Sequence, residues 1–340
     1  MNLSRRLPFA LSAALSATAL ASCDAPPEAG GPAEGPTTLA QAHTMAKAAT
    51  DSGDFGVSQQ ALTATSRDYY DPRGVFTVRV KTCPPSPTQS LNLVECRVDP
   101  GYVLIGGGAQ VLGDAPQALL YASVPLDDKH TWLAASKDHI VSSPHQLQAY
   151  AVGLKVFSTS ETDLASQVFY KWMLTDPAEH PSATVQLPGG YLATGGGGFA
   201  EFYSGDAGAL LTSSYPSDSA SLRSWTASSK DHGIVDSHQL YVAAIGLQAC
   251  LNTQECFDLK VTPAFQWEPT GYSAIATPTP DGYVPAGVGG VAQYNGNGRL
   301  LTKLVPTLPN GDAGAQIQSK DHVYVDSGWT TLYTLSIKSY

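Results

Sequence analysis

The tetrapeptide Ser-Lys-Asp-His occurs three times in the chain, at 136–139, 229–232 and 319–322. Five of the eight histidines lie in or just after it: His139, His145, His232, His238 and His322. The element ends one β-prone run, and a loop of a few residues leads into the next, so it belongs at a hairpin tip. His139 and His145, and likewise His232 and His238, then stand as cross-strand neighbours across that loop. Two imidazoles with carboxylates beside them are suited to a divalent metal. The fullest such set is Asp231, His232, Asp236 and His238. Ser143 stands where Asp236 would be in the first copy, and Gly328 where the second His would be in the third. The competing reading is architectural: Asp138, Asp231 and Asp321 accept hydrogen bonds from loop amides and hold the turn.

Tryptophan suggests a second chemistry. Trp132 and Trp225 each stand four residues before the serine of the motif. Strand alternation places them on the face of Asp138 and Asp231. An indole beside a carboxylate suits a sugar: a ring face for stacking and acceptors for hydroxyls. The candidate ligand contacts are therefore Trp132, Trp225, Asp138, Asp231 and Asp321 with His139, His232 and His322. Ala315 replaces the tryptophan in the third copy. The alternative is that both indoles belong to the core, the commoner place for a strand tryptophan.

Other chemistries lack their required context. Gly195-x-Gly197-x-x-Ala200 has the spacing of a dinucleotide fingerprint, but Phe199–Tyr203 reads as a strand, so no helix N-terminus is there to hold a pyrophosphate. The glycines read instead as places where strands bend or backbones approach closely. There is no Gly-x-Ser-x-Gly elbow and no His-Glu-x-x-His. Asp127-Asp128, as adjacent strand residues, point to opposite faces and make a poor acid/base pair. With 19 basic against 29 acidic residues the formal charge is −10, which gives nucleic acid no electrostatic footprint.

The elements that must position these residues repeat. Gly101-Tyr102 leads to Gly106-Gly107-Gly108, Gly190-Tyr191 to Gly195-Gly196-Gly197, and Gly282-Tyr283 to Gly287-Val288-Gly289. Leu119-Leu120, Leu210-Leu211 and Leu300-Leu301 follow in turn, each before a proline and then Ser-Lys-Asp-His. Three ordered landmarks recurring about every 90 residues define one unit present three times. In the second unit, Ser182–Leu187, Tyr191–Thr194, Phe199–Tyr203, Ala209–Tyr215, Ser224–Lys230 and Gln239–Leu247 read as strands between turn formers. No amphipathic helix is expected after residue 67. A chain 43% hydrophobic and only 14% charged, with 32 Gly and 24 Pro, agrees with a turn-rich β protein. The predicted class is all-β. The three units form either one pseudo-threefold, β-prism-like body or tandem small β-sandwiches.

The N-terminus addresses export. Arg5 and Arg6 precede an apolar stretch, Phe9 to Leu20, too short to span a bilayer as a helix. Leu20-Ala21-Ser22-Cys23 resembles the lipobox of bacterial lipoproteins, and that resemblance covers only residues 1–23. It implies cleavage before Cys23, acylation of that cysteine and anchoring to a bacterial membrane. Cys83, Cys96, Cys250 and Cys256 remain, an even number suited to an oxidising compartment. Of three connectivities, the local pairs Cys83–Cys96 and Cys250–Cys256 are expected. The expected organisation is a signal peptide (1–22), a flexible Ala/Gly/Pro-rich tether (23–67) and β repeats at 68–161, 162–253 and 254–340. The expected function is a lipid-anchored, non-enzymatic binding or structural module whose partner is a glycan or another envelope component. No cofactor is expected beyond a divalent metal. The rival readings are a metal-dependent hydrolase at the His/Asp hairpin and a purely architectural surface protein.

Overall fold

The structure is a computed structural model describing residues 63–340, apart from 114, 201–207, 219 and 253–254. The signal segment, the lipidation candidate Cys23 and most of the expected tether lie outside the described residues. The first unit carries β1 (Thr65–Tyr70), β2 (Phe76–Thr82), β3 (Leu91–Arg97), β4 (Val103–Leu112), β5 (Ala118–Pro125), β6 (Thr131–Asp138) and β7 (Gln146–Val156). The helix α1 (Glu161–Ser166) joins it to the second unit: β8 (Val168–Leu174), β9 (Ser182–Gln186), β10 (Tyr191–Ala200), β11 (Leu210–Pro216), β12 (Ser224–Lys230) and β13 (Leu240–Gln248). The third unit carries β14 (Phe257–Glu268), β15 (Tyr272–Pro278), β16 (Val284–Ala292), β17 (Leu300–Val305), β18 (Gly314–Lys320) and β19 (Gly328–Ser339). Among the described residues no helix is long and apolar enough to cross a membrane.

All the pairings are antiparallel, and no unit has a sheet to itself. The three sheets run β1-β2-β7-β4-β17-β18-β15, β3-β6-β5-β10-β13-β8 and β14-β19-β16-β11-β12-β9. With β1 as an extra edge strand and the first unit counted from β2, each unit gives its first, last and third strands to one sheet, and its fourth, fifth and second strands to another. The halves meet at short seams: Gln110↔Lys303 and Ala109↔Leu304, Ser123↔Gly198 and Ala122↔Phe199, Ser213↔Val291 and Ser214↔Gly290. A single core draws buried side chains from all three units, Leu104, Ile105, Trp132, Trp225, Ile245 and Leu335 among them. The tandem-sandwich alternative is therefore not the arrangement found. The three units close on one another in a ring.

The glycine runs explain the closeness. The second unit was expected to break into two strands around Gly195–Gly198. Instead β10 runs through them, with a bulge just before the run, and β4 and β16 do the same. A Cβ on Gly106 would lie 2.4 Å from the Ala286 carbonyl oxygen, one on Gly195 2.6 Å from that of Ile105, and one on Gly287 2.5 Å from that of Thr194. Backbones of consecutive units thus touch where no side chain fits.

Smaller departures have local causes. Helix α1 lies at a join where no helix was expected, because six residues with one buried leucine carry no periodicity to read. Its stop and start are written in polar residues: Ser160 caps it by accepting the Asp163 amide, and Glu161 sits in its first turn. Asp127 and Asp128 lie in the β5–β6 turn, not in a strand, where Asp128 accepts the His130 and Thr131 amides at 2.9 and 2.8 Å. Strand order begins at Thr65, inside the expected tether. Disulfides join Cys83 to Cys96 and Cys250 to Cys256. The buried Asp71 accepts the Arg73 amide at 3.1 Å and the amide and hydroxyl of Ser339 at 3.0 and 2.8 Å, clasping the β1–β2 turn to β19.

Candidate functional site

Each residue of Ser-Lys-Asp-His has its own task. The serine ties down the returning strand: Ser136 and Ser229 bond the Nε2 atoms of His145 and His238, each at 2.8 Å. In the third unit Thr330 serves instead, 2.6 Å from Ser319. The lysine reaches forward into the loop before the fourth strand of another unit. Lys137 donates to the Gly208 carbonyl, Lys230 to that of Asn297, and Lys320 to that of Ala115 at 2.9 Å. These contacts run from unit one to two, two to three, and three back to one. Asp138 and Asp231 hold their own turns, accepting the Ser143 amide at 2.5 Å and the Asp236 amide at 3.3 Å, whereas Asp321 accepts the Gly271 amide at 2.7 Å and so ties its tip to the β14–β15 turn. The next residue in each tip is left-handed, at Ile140, Gly233 and Val323 (φ 65°, 70° and 61°). Two of these are β-branched, a strained choice at positive φ.

The histidines converge. His139, His232 and His322, one from each unit, are buried with a donor nitrogen apiece, all within 4.8 Å of one another. His139 Nδ1 lies 2.7 Å from His322 Nε2. His232 faces two main-chain oxygens, Asn297 O at 2.5 Å from Nδ1 and His322 O beside Nε2. Leu119, Leu210 and Leu300 form a separate three-residue cluster of their own. Around the histidines the loop tips expose Ile140, Val141, Ile234, Val235, Val323, Tyr324 and Val325.

The pairing read from sequence is corrected here. His145 and His238 do not share a site with His139 and His232. Their rings turn to the serines just named, and His238 Nδ1 bonds the Asp236 carbonyl oxygen at 2.9 Å. The Asp231, His232, Asp236 and His238 set is therefore divided between two environments. Three copies of one position meet instead.

Burial, then the neighbouring imidazoles, lowers the His139 pKa to about 3 and that of His322 to about 4. Burial also lowers that of His232. The cations that face them, Lys137, Lys230 and Lys320, act in the same direction. An unfolded histidine titrates near 6.5, so below that pH the unfolded chain takes up protons that the folded cluster refuses. The stability this cluster contributes is therefore full above neutrality and falls as pH drops from 6.5 toward about 3. Thermal unfolding across that range checks this. His139→Gln should flatten the dependence, and an unchanged slope would contradict it.

Trp132 and Trp225 cannot serve as sugar platforms, since they are 2% and 0% exposed. Their indole N–H groups donate to Ser123 and Ser214 at 3.1 and 2.9 Å, and their rings lie where a Cβ on Gly107 or Gly196 would be. The third unit repacks the same space with Val288, Leu304 and Ala315, all buried. Leucine replaces the serine there because no indole N–H needs an acceptor.

An open aromatic face does exist, on residues that sequence reasoning did not single out. The outer face of the β14-β19-β16-β11 half-sheet carries a groove of about 430 Å³ lined by Tyr215, Phe265, Trp329 and Tyr333 with Val291, Gln293 and Thr331. Register builds it: Phe265 opposes Thr331, which opposes Val291, and Trp267 opposes Trp329. Tyr215 and Tyr333 stack, centroids 5.4 Å apart at 19°, across Gly289. Phe265 is 62% exposed and Trp329 47%. The signal available was alternation, aromatic at 265 and 267 and again at 329 and 333, which puts each pair on one strand face. The other two sheets differ. The equivalent positions are Gln110 and Gln148 in one and the buried Phe199 and Tyr241 in the other.

No protein-family model matches the chain, and comparison with curated proteins returns no match.

Proposed function

We propose that the chain is an exported, lipid-anchored and non-enzymatic binding module, and that it takes a saccharide on the aromatic groove of the third sheet. The observation that carries the reading is the groove itself: the rings of Trp329 and Phe265 are open to solvent beside the half-buried Tyr333 and the exposed amide of Gln293. Flat rings suit the C–H faces of a sugar, and the flanking amide suits its hydroxyls. Anchoring rests on the lipobox resemblance at Cys23, and the two disulfides accord with an oxidising compartment. The hydrolase reading has less support, because His232 and His238 face different partners.

A glycan array probed with the mature chain tests the proposal. Wild type should bind a selective set of saccharides. Trp329→Ala and Phe265→Ala should each weaken binding about tenfold or more, the loss of roughly 1.4 kcal/mol of stacking, with the unfolding midpoint little changed. A blank array for folded wild type, or binding untouched by both substitutions, would refute the saccharide groove.

A further inference from the structure

We infer that His139, His232 and His322 form a binding site for a single divalent transition-metal ion, Zn²⁺ by preference, built from one ligand of each repeat. Three imidazoles are a ligand set for Zn²⁺, Cu²⁺, Ni²⁺ or Co²⁺ and not for hard cations such as Mg²⁺ or Ca²⁺. Zinc bound at about 2.0–2.1 Å from each nitrogen would set the nitrogens about 3.3 Å apart. The present spacings run from the 2.7 Å of the His139–His322 contact up to 4.8 Å, so small ring rotations suffice.

A second observation also points to a cation at this position. The cluster is under-satisfied as it stands. His139 Nε2 and His322 Nδ1 are buried without a well-formed hydrogen bond. His232 presents both ring nitrogens to carbonyl oxygens, yet a neutral imidazole carries one proton, so one contact sets lone pair against lone pair. Buried polar groups left this way cost stability. A metal on one nitrogen of each ring removes the conflict. The remaining N–H of His232 keeps a carbonyl partner, the usual way a metal-bound histidine is oriented. Nothing in this depends on the saccharide groove, which lies on a different surface.

The test uses tag-free mature chain, stripped with EDTA and titrated with ZnCl₂ at neutral pH. One equivalent should bind, and saturation should raise the unfolding midpoint by about 5 °C or more. His139→Gln, His232→Gln and His322→Gln should each weaken binding on the order of a hundredfold, whereas the distant His130→Gln should not. If a variant does not fold, X-ray absorption of zinc-loaded wild type decides by counting imidazole ligands, for which three is expected. Folded wild type that takes up no zinc, binding indifferent to the three substitutions, or fewer than three imidazoles at the metal would each overturn the site.

Discussion

A Gly197→Ala chain should be severely destabilised, with its urea midpoint far below that of wild type. Its added Cβ would lie 2.1 Å from the Ser123 carbonyl oxygen and 2.5 Å from Val124 Cα. Both are backbone atoms, so no side chain can swing aside. The strand they belong to, β5, meets β10 only through Ser123↔Gly198 and Ala122↔Phe199. Relief therefore means opening the seam that joins the first unit to the second. A loss of about 4 kcal/mol or more is expected, a large share of the roughly 5–15 kcal/mol a domain has. Gly189→Ala is the comparison, because the nearest atom to its Cβ would be the tip of Arg223 at 3.7 Å. That change should fall within about 0.5–1 kcal/mol. Urea midpoints measure both. A Gly197→Ala chain within about 1 kcal/mol of wild type would show the seam to be compliant.

Trp132 and Gly107 should behave as one unit of packing. Trp132→Ala removes a fully buried indole and leaves the Ser123 hydroxyl without its donor, which should cost about 3–5 kcal/mol. Gly107→Val alone places a Cβ 2.2 Å from the indole ring and should be as damaging. Together, with Ser123→Leu, they recreate the set that the third unit already uses at Val288, Leu304 and Ala315. The combined variant should recover at least about 2 kcal/mol relative to the summed single losses. Strict additivity in that cycle would mean the third unit is packed by some other compensation.

The fold class and the threefold repetition were legible because glycine run, leucine pair and tetrapeptide recur in the same order. Within a unit, alternation located strands well: 224–230 has the predicted bounds. The disulfide pairs were legible from sequence distance. What could not be read was which half of one unit completes the sheet of another, since seams of two residue pairs leave no pattern. That gap hid the meeting of His139, His232 and His322, which stand about 90 residues apart and come together only through the ring. The same gap made His238 look like the partner of His232. Alternation also gave the parity of Trp132 and Trp225 without saying which parity faces inward. The clue lay in their counterparts, since glycine at 107 and 196 gives way to valine at 288 where the tryptophan is missing. The aromatic groove needed the β14–β19 register, which a sequence read one strand at a time does not supply.

The shared sheets also set the order of events in folding. Until β16 and β17 have been made, β4 and β11 have no partner along the edges that later become seams. The β3-β6-β5-β10-β13-β8 sheet needs only the first two units, but the other two sheets are then left as parts, and their completion rests on contacts distant along the chain. That delay leaves strand edges open to neighbouring molecules in the interval. The two disulfides close loops with sequence separations of only 13 and 6, each near the start of a unit. They can therefore form early and give local order without committing the ring to a wrong partner.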